Sequence, residues 1–160
     1  MTDQSSRRIT TIAVLVALNV AISYFIHIPV PATSGFINLV EAGVLFAGLS
    51  YGRKSGFIVG ALSGALLDLL AGYPQWLLFS FLIHGLEGYI AGIAVKGKTS
   101  KKILFAVLSI MIMLLGYTLA GSFLYNWPAG IASIPTNTIQ GIAGALVAFF
   151  LLKAINQYQK

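Results

Sequence analysis

The sequence predicts an all-α integral membrane protein with six transmembrane helices and both termini in the cytoplasm. Three observations carry this expectation. The chain is 58% hydrophobic and only 9% charged, against about 25% charged residues in a soluble domain. Its mean hydropathy is +0.88. Six apolar stretches can be drawn along it, and when they alternate in direction all ten Lys and Arg fall on one side of the membrane.

A spanning helix needs about 20 residues, so 160 residues form one membrane domain, 1–160, with no space for a soluble catalytic unit. There is no cysteine, which excludes disulfides, thiol chemistry and Cys-ligated metal centres.

The first stretch covers residues 9–28. Polar residues 1–6 and then Arg7 and Arg8 precede it. Its apolar run is of full spanning length, so it is read as a retained helix, although Ala32-Thr33-Ser34 imitates a cleavage site. Pro29 and Pro31 end it, since proline lacks a donor and restricts the residue before it. The second and third stretches, 38–51 and 55–71, are short for a crossing. The fourth covers 75–95, the fifth 103–125 and the sixth 133–155.

With the N-terminus inside, the inner segments hold Arg7, Arg8, Arg53, Lys54, Lys96, Lys98, Lys101, Lys102, Lys153 and Lys160. The outer loops hold no Lys or Arg, as the bias of cytoplasmic loops requires. The net charge of +6 is therefore a topology signal, and no nucleic-acid partner is expected.

Gly52, Gly56, Gly60 and Gly64 are spaced four apart, a smooth stripe for internal helix packing. Ala13, Ala17 and Ala21 repeat that spacing in the first helix, where a docking surface for another membrane protein is the functional alternative to chance. Residues 92–99, Gly-Ile-Ala-Val-Lys-Gly-Lys-Thr, match a phosphate-loop pattern. That loop needs a preceding strand and a following helix, and its first glycine here lies in a membrane helix. The chain is therefore not expected to hydrolyse ATP.

Ionisable groups inside spans cost about 2.5–3.5 kcal/mol each on insertion scales and face interior cavities. Glu41 lies one turn into the second helix and Asp68 near the outer end of the third. His84 and Glu87 share a face of the fourth, about 13 and 18 Å below Gln75. On this reckoning Glu41 and Asp68 are shallow while His84 and Glu87 are deep. An intramembrane metalloenzyme built on His84 and Glu87 would then lack further ligands at matching depth, so no metal and no catalytic residue is expected. Asn137 and Gln140 enter the sixth helix from outside. Phe36, Tyr73, Gln75, Trp76, Tyr125, Asn126 and Trp127 gather at the same outer end; for Trp and Tyr an interfacial belt is the competing explanation. Polar groups in the outer half alone describe a pocket open to the outside. The expected substrate-binding residues are Asn38, Glu41, Tyr73, Gln75, Trp76, His84, Glu87, Asn137 and Gln140.

Three stretches resemble the substrate-binding S components of energy-coupling-factor (ECF) vitamin importers. They are the alanine stripe after a basic N-terminus, the run Gly35-Phe36-Ile37-Asn38-Leu39-Val40-Glu41-Ala42, and Asp68 to Trp76 followed by His84-Gly85-Leu86-Glu87-Gly88. Where relatives often carry Lys in the last motif, this chain has His84. The pattern looks closest to members for hydroxymethylpyrimidine or pyridoxine-type vitamins.

The resemblance implies a multi-pass protein of a prokaryotic cell membrane that binds its solute in an outward-facing pocket, needs no cofactor, and docks through Ala13, Ala17 and Ala21 on a membrane coupling subunit that sits on two ATPases. Another vitamin such as pantothenate, riboflavin or folate is the alternative within the family. A stand-alone secondary transporter is the alternative outside it.

Overall fold

The computed structural model describes residues 3–30 and 35–158. Its helices are α1 (Asp3–Phe25), α2 (Val40–Tyr51), α3 (Arg53–Ala71), α4 (Leu77–Ala91), α5 (Thr99–Leu124) and α6 (Trp127–Tyr158). Single 3-10 turns, Pro74–Trp76 and Gly92–Ala94, flank α4. Among the described residues, five segments are long and apolar enough to cross a membrane; α2 is the sixth helix but has only 12 residues. Twelve residues rise about 18 Å, well short of a hydrocarbon core of about 30 Å. Nine of the twelve are buried, so α2 is a central strut enclosed by α1, α3, α4 and α6.

The expectation of an all-α chain needs one correction. Strands β1 (Ile28–Val30) and β2 (Gly35–Ile37) pair antiparallel, with Pro29 opposite Phe36. Helix α1 accordingly ends at Phe25 instead of 28. Proline is costly in helix interiors but tolerated in edge strands, and a two-stranded ribbon consists only of edges.

The predicted outer loop before the sixth helix is also largely helical. Asn126 Oδ1 accepts the Ala129 N–H at 2.9 Å. This is an N-cap bond to the third helical residue, and it starts α6 at Trp127, well before 133. Pro135 lies within α6, on its exposed side.

Two junctions depend on glycine. Gly52 has φ +86° and is the whole connection between α2 and α3. Gly72, at φ +83°, ends α3: its N–H reaches Leu69 O at 3.4 Å and the Tyr73 N–H reaches Asp68 O at 2.8 Å. That pair of bonds is a Schellman cap, which needs a left-handed residue.

The glycine stripe packs α3 on α4. A Cβ on Gly56 would collide with the Gly88 carbonyl, one on Gly60 with the His84 carbonyl, and one on Gly64 with the His84 ring. The two backbones therefore touch, as small-residue packing in membranes permits. The alanine stripe behaves differently: Ala13, Ala17 and Ala21 are exposed, whereas Val16, Asn19 and Ser23 form the buried face of α1.

The basic residues gather at one end. Arg8, Arg53, Lys54, Lys96 and Lys101 line one cleft, while Lys98, Lys102 and Lys153 line a second that shares Gly97 with it. Lys160 lies outside the described residues.

Candidate solute-binding site

The opposite end holds a narrow cavity of about 50 Å³. The strand pair contributes Phe36, and the segment after it contributes Asn38. From α3 come Gly64 and Asp68; Trp76 stands on the 3-10 turn. Ser80 and His84 lie one turn apart on α4, Tyr117 comes from α5, and Ser133, Thr136, Asn137 and Gln140 come from one face of α6. No Lys or Arg lines it.

Beneath the cavity floor is a hydrogen-bonded network. Asn38 Oδ1 accepts the Val40 N–H at 2.6 Å, an Asx-type turn that leads into α2. The Asn38 N–H donates to Gln140 Oε1 at 2.7 Å, and Gln140 Nε2 donates to Glu41 Oε1 at 2.8 Å. Gln140 thus ties α6 to the first turn of α2. His84 Nδ1 lies 2.9 Å from Glu87 Oε2 and 4.0 Å from Glu41 Oε1. Its Nε2 lies 2.8 Å from the Tyr117 hydroxyl, which is 2.7 Å from Ser80 Oγ. Both glutamates are fully buried, and Glu41 Oε2, Glu87 Oε1 and Asp68 Oδ2 have no hydrogen-bond partner.

Aromatic rings border the cavity. Trp76 is buried, with its ring 5.7 Å from Tyr117 and 6.0 Å from Tyr125. His27 stacks on Phe36 at 4.3 Å, and Phe36 lies 5.3 Å from Tyr73. Strand β2 carries Phe36 to the cavity, and His27 immediately precedes β1.

Of the nine residues expected from the sequence, Asn38, Trp76, His84, Asn137 and Gln140 line the cavity. Glu41 and Glu87 sit behind His84, within its network but off the wall. Tyr73 belongs to the aromatic cover, and Gln75 is exposed, its Nε2 donating to Tyr125 Oη at 3.1 Å.

One expectation of depth is overturned. Glu41 is not shallower than His84: donor atoms of Glu41, His84 and Glu87 all lie within 4.8 Å of one another. The short helix α2 starts inside the protein, with Val40 and Glu41 fully buried, so its second residue is already beside the middle of α4.

Ser80, Tyr117, Ser133 and Thr136 were not expected. Ser80 could have been found, since it precedes His84 by one turn on the same face. Tyr117 is one hydroxyl in a long apolar helix, and nothing local distinguishes it from a membrane-facing residue.

The sequence profile described as ECF-type riboflavin transporter, S component, matches residues 3–157. The chain is similar to the thiamine precursor transporter HmpT of Lactococcus lactis subsp. cremoris (strain MG1363), at 31% identity over 158 residues, 98% of this chain and 92% of that protein. It is also similar to an uncharacterised protein of Pyrococcus woesei, at 32% identity over 124 residues, 76% of this chain and 83% of that one. With a cavity lined by several polar side chains at one end of a multi-pass bundle, and a match over nearly its whole length, this chain belongs to the ECF transporter S-component family and is a transport subunit, not an enzyme.

Proposed function

We propose that the chain captures a small, single-ring vitamin precursor of the hydroxymethylpyrimidine type from outside a prokaryotic cell and delivers it to an ECF coupling subunit carried on two ATPases. The observation that carries this reading is the character of the cavity wall: Asp68, amides and hydroxyls without Lys or Arg, beside the flat face of Trp76. Such a wall offers acceptors to the amine and hydroxyl of an aminopyrimidine and a surface on which its ring stacks. A pyridoxine-like ring is the nearest variant.

Anionic vitamins such as pantothenate and folate bring a carboxylate to a wall that holds Asp68 and no Lys or Arg. The cavity is narrow, about 50 Å³ where one water takes about 10–15 Å³, which favours a single ring over the fused rings of riboflavin. The name of the Lactococcus relative supports the same choice.

In this reading the basic end faces the cytoplasm, both termini lie inside, and the cavity opens outward. Ala13, Ala17 and Ala21, exposed on α1, are the contact for the coupling subunit, because small side chains let helices approach closely in lipid. The test is extraction and mass spectrometry of the solute that co-purifies with the protein. A pyrimidine or pyridine alcohol is expected; recovery of a flavin or an acidic vitamin would reject the assignment.

A further inference from the structure

We propose that Glu41, His84 and Glu87 form a buried site for one divalent metal ion of the zinc type, behind the floor of the solute cavity, with His84 shared between the two. The donors are one imidazole nitrogen and two carboxylates, held by α2 and α4, with their atoms within 4.8 Å of one another. A tetrahedral ion bound at about 2.0–2.2 Å sets its ligands about 3.4 Å apart. The two nitrogen–oxygen separations, 2.9 and 4.0 Å, straddle that value, so small side-chain rotations close the site. Imidazole with carboxylate is a donor set that zinc accepts readily.

The independent observation is the unused bonding capacity. Glu41 Oε2 and Glu87 Oε1 are buried and have no hydrogen-bond partner, on side chains with no solvent exposure. Among the described residues, the ion-pairing partner of both carboxylates is His84. A buried carboxyl group is tolerated when it is neutralised, paired or bound to a metal, and one dication would satisfy both side chains at once.

The surroundings are those of a ligand set. His84 Nε2 is fixed by the Tyr117 hydroxyl, itself on Ser80. When Nε2 carries the proton and donates it to Tyr117, the Nδ1 lone pair points at the two carboxylates. Metal-bound histidines almost always have their second nitrogen held in this way. Glu41 Oε1 is likewise held by Gln140. Neither glutamate lines the cavity, so the ion ties the start of α2 to α4 from behind the His84 wall.

The test uses the full chain purified in detergent without vitamin, so its outcome is independent of the solute assignment. The protein is stripped with a chelator, equilibrated with Zn²⁺ and desalted. Bound metal is counted by plasma mass spectrometry, and the thermal unfolding midpoint is recorded. About one zinc per chain and a raised midpoint are expected. Glu87→Gln should lose the ion. His84→Lys puts an ammonium between the carboxylates, so it should stay folded, bind no zinc, and unfold at a temperature indifferent to added metal. If His84→Lys does not fold, the metal content of Glu87→Gln decides. Wild-type protein that retains no zinc would overturn the proposal, as would folded variants that retain as much as wild type.

Discussion

Trp76 carries the most direct energetic test of the solute site. It is 6% exposed, lines the cavity, and its ring sits 5.7 Å from Tyr117 and 6.0 Å from Tyr125. Trp76→Ala removes the flat wall on which a heteroaromatic ring would stack. Stacking of a base on an aromatic side chain is worth about 1–3 kcal/mol, which at about 1.4 kcal/mol per tenfold weakens binding by about 5- to 150-fold. The same truncation empties part of the aromatic cluster and costs the fold up to about 3–5 kcal/mol. Stability and affinity must therefore be read separately. Trp76→Phe keeps a stacking face and should lose less affinity than Trp76→Ala. Titration calorimetry of hydroxymethylpyrimidine into detergent-purified protein, with thermal unfolding alongside, gives both numbers. A folded Trp76→Ala variant with wild-type affinity would remove Trp76 from the site and the stacking argument with it.

Other outcomes follow from the packing and the topology. Gly60→Val places its side chain against the His84 carbonyl, where α3 and α4 have no slack; a loss of about 1–3 kcal/mol or more is expected, visible as a lower unfolding midpoint in detergent. Ala17→Trp adds bulk to an exposed position of α1, so the purified variant should bind its solute normally while co-purification with the coupling subunit and cellular uptake are lost; uptake that persists in cells without coupling subunits and their ATPases would instead indicate a stand-alone carrier. A cysteine at exposed Pro128 should react with an impermeant thiol reagent added outside intact cells and one at Lys98 should not, and the reverse pattern would invert the topology.

What the sequence made legible was set by long-range regularity. Apolar runs with basic residues at every second connection specify α1 and α4–α6, and the shorter third run α3, because lipid leaves a spanning backbone few options besides a helix. Positions along one helix were legible as well: His84 and Glu87 share a face because they are three apart. Relations between helices were not. Glu41 meets His84 only because α2 starts inside the protein, and no property of its own twelve residues says where it starts. The strand pair was hidden because two three-residue strands are too short to display an alternation, and its prolines read only as a helix stop. Asn126 is an N-cap residue by type, yet the asparagine and the proline two residues after it also describe a loop. Tyr117 is invisible for another reason: its role is defined wholly by His84 and Ser80 across the α4–α5 contact.

Binding selectivity of the purified chain tests the central claim most directly. Hydroxymethylpyrimidine, riboflavin and pantothenate are titrated separately, at equal concentration, into protein freed of endogenous solute. A wall of acceptors beside one aromatic face, without Lys or Arg, predicts saturable binding of hydroxymethylpyrimidine and none of the other two. Saturable binding of riboflavin or pantothenate, with hydroxymethylpyrimidine failing to bind, would contradict it.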